Sequence, residues 1–314
     1  MPRVAASARA RDARDVLPPE QGAGECPGRR GPGRPAAAAA SGEGSMKLDI
    51  VHATRYHYSG PIAETVMEVR LRPMDGAGQR CLEFKLELSH GVKARSFIDG
   101  YGNHVHYFNL VRPHGNLSVT SHSVVETGIE HGPEVGEDLV QDFLRFRSPV
   151  KDVEGIRELA ARHTVSDLNS PESVEAALDG LALTICREFT YDRTVTNVYS
   201  AVDEVLALRA GVCQDFAHLF IAAARAMGIP ARYVSGYIHD PNEKGHNVAS
   251  HAWGEAWVGG RGWIGFDATH PVRTTEHHVK LAVGRDYTDA APTRGVYVGS
   301  ATGTMAIRVK TREL

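Results

Sequence analysis

The stretch RAGVCQDFAHLFIAAARAMGIP, residues 209–230, decides how the chain folds. Read outward from its middle, Phe216, Phe220, Ala223 and Met227 recur at helical spacing, and Gly228 followed by apolar Ile229 and then Pro230 is a helix stop. The spacing predicts a buried helix. Its start carries the chemistry: Gly211 predicts a sharp turn that leaves Cys213 in or just before the first helical turn. Unpaired N–H groups and the positive end of the helix dipole favour a thiolate there, and the thiolate is the nucleophile. A lone buried cysteine is more often inert packing. The glycine before Cys213 and the polar Gln214 and Asp215 after it argue for the reactive reading.

A thiol nucleophile needs a base, and the base needs an orienting group. His218 is the nearest histidine, but five residues along a helix rotate it about 140° away from Cys213. The better partner is His251 in SHAWGEAWV, residues 250–258, which reads as a strand. After the glycine-rich turn 259–262, a second strand begins at Trp263 and carries Asp267 near its end, so the two form a hairpin. Side chains share a face only when they are opposed or diagonal. If Trp257 faces Trp263 across a longer loop, Asp267 lies diagonal to His251 on one face; a two-residue turn at Gly260 and Arg261 would separate them unless a bulge intervened.

The words GVCQDFAHLFIAAARAMGIPARYVSGY, SHAWGEAWV and GWIGFDATH, with Cys213, His251 and Asp267 in that order, resemble the bacterial transglutaminase-like family of the papain-like thiol enzyme superfamily. The resemblance spans roughly residues 46–314 and departs from the family at Ala268, where proline more often follows the acid. It implies an α+β fold, a papain-like, transglutaminase-like core with a helix-borne cysteine and an antiparallel sheet. It also implies a Cys-His-Asp triad in which His251 deprotonates Cys213 and Asp267 orients His251.

The composition, 42% apolar and 23% charged over 314 residues, is that of an ordinary soluble protein of two domains. A net charge of -3 argues against a nucleic-acid surface, and no apolar run reaches the length of a membrane span. The four cysteines, Cys26, Cys81, Cys186 and Cys213, are widely spaced without a CxxC pair. They read as free thiols in a reducing cytoplasm. Residues 1–45, dominated by Ala, Arg, Gly and Pro, read as a disordered extension. Met46 is expected to be the start of the translated protein, the rival being an organellar targeting peptide.

Residues 46–145 alternate with period two, best in LEFKLEL, where Leu82, Phe84, Leu86 and Leu88 share one side. Met67, Val69 and Leu71 alternate likewise, and residues 117–125 give another strand. The spacing predicts a small all-β, sandwich-like amino-terminal domain, as the resemblance does. His104, His106 and Tyr107 read as solvated edge residues more readily than as a ligand patch.

Residues 146–314 are expected to form the catalytic core with its carboxy-terminal strands. Ser170, Pro171 and Glu172 are a strong helix start, and Val174, Leu178, Leu181 and Ile185 form one apolar stripe behind it. A tetrahedral intermediate needs two hydrogen-bond donors, for which the Cys213 N–H is the first candidate and Tyr191 a weaker second. Gln214 and Trp253 are further substrate-contact candidates, and the loop 239–250 is expected to form a rim of the cleft. Arg285 and Asp286 are expected to pair near it. His270, His277 and His278 raise the question of a metal, but zinc sites need three or four converging ligands and a thiol nucleophile needs none, so no metal or cofactor is expected.

These readings converge on thiol-mediated acyl transfer at an amide of a peptide or protein, with neither nucleic acid nor membrane as partner. Hydrolysis is favoured over amine transfer, because selecting an amine demands a water-excluding acceptor tunnel that no stretch of sequence marks. A non-catalytic binding module is the remaining alternative, and the presence of all three triad residues counts against it. Oligomeric state is not legible.

Overall fold

The computed structural model describes residues 45–76, 78–129, 137–241, 247–248 and 250–314. The expected extension up to residue 44, Cys26 within it, and residues 242–246 and 249 of the expected rim loop lie outside the described residues.

Alternation builds the first half. β1 (Met46–Val69) and β4 (His104–Thr127) run antiparallel along their length, with Leu48, Ile50, Met67 and Val69 of β1 and Val105, Phe108 and Val119 of β4 buried. β2 (Gln79–Leu88) and β3 (Arg95–Ile98) pair with the other edge of β4. Leu82 departs from the predicted stripe. A register shift between Cys81 and Glu83 inserts an extra residue there, so Leu82 turns outward and is 40% exposed while Phe84, Leu86 and Leu88 stay half-buried.

The helices follow: α1 (Glu154–Ala161), α2 (Pro171–Glu188), α3 (Val202–Leu208) and α4 (Cys213–Ala226). α2 starts as its sequence predicts, with Ser170 accepting the Ser173 N–H and Pro171 in the first turn. Its stripe of Val174, Leu178, Leu181 and Ile185 shares one core with Phe216, Leu219 and Phe220 of α4. Two short strands, β5 (Thr190–Tyr191) and β6 (Ala210–Gly211), pair in parallel and fasten the segment after α2 beside the start of α4.

The core sheet has the order β11-β10-β9-β7-β12, built from β7 (Ala231–Ile238), β9 (Ser250–Val258), β10 (Gly262–Asp267), β11 (Val272–Arg273) and β12 (His278–Gly284). α4 packs on it, Phe220 stacked on Phe266 at 5.3 Å. Gly254 permits that approach, since a Cβ there would lie 2.4 Å from the Phe220 ring. β8 (Asn247–Val248) lies outside this sheet, and α5 (Tyr287–Ala290) follows β12.

The last strands correct the expected domain plan. β13 (Thr293–Val298) and β14 (Gly303–Glu313), expected with the core, pair with β1, setting Tyr297 opposite Thr65 and Val309 opposite His52. The physical reason is the second edge of β1: β4 fills one side, and an open row of N–H and C=O groups along the other needs a partner. The second layer of the expected sandwich is also shared. The buried face formed by Leu48, Val69 and Phe108 packs in one cluster with Tyr237, Val279 and Leu281 of the core sheet, and His52 Nδ1 meets the Tyr237 hydroxyl at 2.8 Å. No helix among the described residues is long and apolar enough to cross a membrane.

Candidate active site

α4 opens on Cys213, which is half-buried. The left-handed residue before it is Arg209, with φ 53°, whereas Gly211 is not among the residues of positive φ. Gly211 is required by close approach instead: a Cβ there would lie 2.6 Å from Asp215 Oδ2. That oxygen accepts the Val212 N–H at 2.8 Å and the Thr196 hydroxyl at 2.6 Å, so the acid of the first turn folds back over its own helix start. Burial pushes the Asp215 carboxyl up to about 6, against the pull of both hydrogen bonds.

The hairpin takes the longer-loop register, with Trp263 opposite Trp257 and Phe266 opposite Gly254. One residue further, Asp267 reaches diagonally to His251, and His251 Nε2 lies 2.7 Å from Asp267 Oδ2. Cys213 acts on the same imidazole, its thiol being among the groups that raise the His251 pKa. With Nε2 on the carboxylate, the nitrogen left for sulfur is Nδ1. The three residues proposed from sequence are therefore brought together in the order thiol, imidazole, carboxylate.

Burial alone would pull the His251 imidazolium down, but the Asp267 carboxylate and Cys213 outweigh it and push its pKa up to about 10. Asp267 is fully buried. Burial would raise its carboxyl, yet the charge of His251 and hydrogen bonds from His251 and His270, with His278 Nε2 aimed at it from 3.6 Å, hold it well below the usual carboxylate range. His218 faces elsewhere: it lies 5.0 Å from the Tyr233 ring, accepts the Tyr287 N–H, and is pushed down to about 4 by burial.

Trp253 is 1% exposed and packs with Met74, Val234 and Val283, with its ring edge-on to His278, so it walls the site from behind rather than offering a face to substrate. The cause is its strand: β9 is central in the sheet with α4 packed on it, and every residue from His251 to Ala256 is buried. Gln214 donates its amide to the Val198 carbonyl at 3.1 Å, tying the loop before α3 to the helix start. Tyr191 meets Phe216 edge-on at 6.2 Å and carries Arg193 over its ring. Arg285 and Asp286 do not pair with each other. Arg285 binds Asp289, whereas Asp286 caps α5 through the Thr288 N–H and takes Arg147.

Sequence reasoning passed over one hydrogen bond of the site. His270 Nδ1 lies 2.9 Å from Asp267 Oδ2. The signal was its spacing: an acid three residues ahead, closing an Asx-type turn whose Oδ1 accepts the Thr269 and His270 N–H groups. His251, Asp267 and His270 each present a donor atom within 4.8 Å of the others, the one such trio of potential cation ligands among the described residues. Their mutual hydrogen bonds already engage those atoms.

Comparison with known proteins identifies the family. Residues 160–268 match the model of the transglutaminase-like superfamily core, and residues 48–126 match the bacterial transglutaminase-like N-terminal region. An uncharacterised protein of Mycobacterium leprae is 34% identical over 283 residues, covering 85% of this chain and 99% of its own. The chain belongs to the transglutaminase-like superfamily. Among solved transglutaminase-like structures, a candidate cysteine protease of Cytophaga hutchinsonii superposes with a TM-score of 0.69 at 28% identity, covering 87% of this chain and 92% of that one. A shorter similarity, 33% over 90 residues, links 27% of this transglutaminase-like chain to 14% of a protein-glutamine gamma-glutamyltransferase of Pseudomonas aeruginosa.

Proposed function

We propose that this transglutaminase-like protein is an enzyme that transfers an acyl group from an amide of a peptide or protein through Cys213, with water as the acceptor. The observation that carries the reading is the continuous relay from the Cys213 thiol through His251 to the buried Asp267 carboxylate. With its proton already given to His251 Nδ1, Cys213 attacks the carbonyl carbon through sulfur. The oxyanion draws on the Cys213 N–H, which as the first residue of α4 has no partner within the helix. Collapse breaks the C–N bond, and the amine leaves with the proton from His251. Water then gives a proton to His251 and attacks the thioester, releasing the acid and restoring the free sulfur beside the protonated imidazole.

Asp267 fixes a proton on Nε2, which keeps Nδ1 facing sulfur through both halves of the cycle. The half-exposure of Cys213 and of His270 beside the carboxylate supports water as acceptor. Amine transfer is the second reading, supported by the local similarity to the gamma-glutamyltransferase. Incubation with glutamine-containing peptides and a labelled primary amine separates the two. Acid release exceeding amine incorporation, both abolished in Cys213→Ala, is the expected result; dominant incorporation would overturn the hydrolytic assignment.

A further inference from the structure

Three imidazoles converge on one carboxylate oxygen. Asp267 Oδ2 lies 2.7 Å from His251 Nε2, 2.9 Å from His270 Nδ1 and 3.6 Å from His278 Nε2. An ionised carboxylate only accepts, so the two nitrogens in hydrogen-bond range must both carry protons. His278 Nδ1 accepts the Thr275 N–H, which places the proton of neutral His278 on Nε2, aimed at the same oxygen and otherwise unpartnered. Of the three rings only His270 has substantial solvent access, with 38% of its side chain exposed; His251 and His278 are buried. The His270 and His251 ring centroids are 5.2 Å apart.

We propose that His270 is a positioning residue whose Nδ1–H shares the Asp267 carboxylate with His251, limiting how tightly the carboxylate holds the His251 proton. The inference rests on the acyl-transfer reading, because it concerns the step in which His251 must release a proton to the departing amine. A carboxylate committed to His251 alone makes the imidazolium a weaker acid and retains the proton when the amine needs it. A second donor on the same oxygen draws part of that charge away. The titratable groups facing this centre among the described residues are Cys213 from α4, His251 from β9, His270 from the turn after β10 and His278 from β12. Cys186 from α2 adds its thiol on the neighbouring Thr269 carbonyl at 3.4 Å.

The test compares His270→Asn, whose side-chain amide can replace Nδ1–H as donor, with His270→Leu, which fills the space without a donor. NMR titration of the His251 imidazole needs no turnover, and kcat and KM on an amide substrate follow in parallel. In His270→Leu the His251 titration and the alkaline limb of kcat should move up by about half a pH unit or more, with kcat lowered and KM unchanged. His270→Asn should track the wild type. A His270→Leu titration that stays in place or moves down, or an Asn variant that behaves like Leu, overturns the inference. The wild type supplies a check that needs no variant: neutral His270 must appear as the Nδ1–H tautomer, and the Nε2–H tautomer overturns the proposal. If the wild type forms no acyl-enzyme detectable by mass spectrometry, the acyl-transfer reading falls, while the tautomer and the titration still decide whether the carboxylate is shared.

Discussion

Trp263 stands directly opposite Trp257 on the β9–β10 hairpin, their rings 5.5 Å apart and inclined at 72°. The pairing sets the register, and the register carries Asp267 to His251. Arg232 lies over the Trp263 ring at 4.1 Å, and Phe143 meets it edge-on at 5.2 Å, so the indole is held from three directions.

Trp263→Ala removes all three contacts and leaves a buried void. Urea denaturation should show a loss of about 3–5 kcal/mol, and activity should fall with it as the hairpin loosens. A change within experimental error would mean that the glycine turn alone fixes the register.

Asp267→Asn keeps the shape of the acid and removes its charge. Turnover should fall roughly 10³–10⁴-fold with the fold intact by circular dichroism, because the amide can present N–H to His251 Nε2 and favour the wrong tautomer. A pKa raised from 6.5 to about 10 in the folded protein means that the imidazolium stabilises the native state fully below 6.5 and that this stabilisation is lost as pH rises through about 10. Denaturation from pH 6 to 10 should show that decline in the wild type and a much weaker one in the Asn variant.

Cys213 and Cys81 provide an internal comparison of thiols. Burial pushes the Cys81 thiol up, and it lies in the amino-terminal sheet with no imidazole bonded to its sulfur, its thiol donating to the Glu83 carbonyl. At pH 7 iodoacetamide should modify Cys213 roughly tenfold faster or more, read by peptide mass spectrometry. Equal rates would remove the case for an activated nucleophile.

Asp215 carries a dependence of the same sign at lower pH. Burial raises its carboxyl from 3.8 to about 6, so between those values the native protein binds a proton that the unfolded chain does not. Its contribution to stability therefore grows as pH falls through 6 and is lost as pH rises through it. Asp215→Asn should flatten the stability profile across pH 4–6 in chemical denaturation. An unchanged slope would show that the first turn of α4 tolerates the charge.

The local features of this chain were legible because they are written in short spacing. The helix from Cys213, its stop at Gly228, the Ser170 cap and the tryptophan register each depend on residues within one turn or one hairpin. What escaped the sequence depends on distant or indirect partners. β14 pairs with β1 through backbone groups that every sequence possesses, so no side-chain pattern announces it. The bulge at Leu82 breaks an unbroken alternation, and Gly211 is fixed by the side chain of Asp215 rather than by its own backbone angles. His270 was visible as a histidine near an acid, but its use as a second donor appears only once the turn brings its ring back over Asp267.

The seam between β1 and β14 joins residues as far apart in sequence as Asp49 and Arg312, an interval of 263 positions. During synthesis one margin of β1 must therefore stay without its complement until β13 and β14, which follow the core sheet in sequence, have been made. Nascent chains halted before that point carry an open template along a long strand, and neighbouring copies on one messenger can zip together there. Synthesis of β14, rather than assembly of the thiol centre, sets when that margin of β1 is covered.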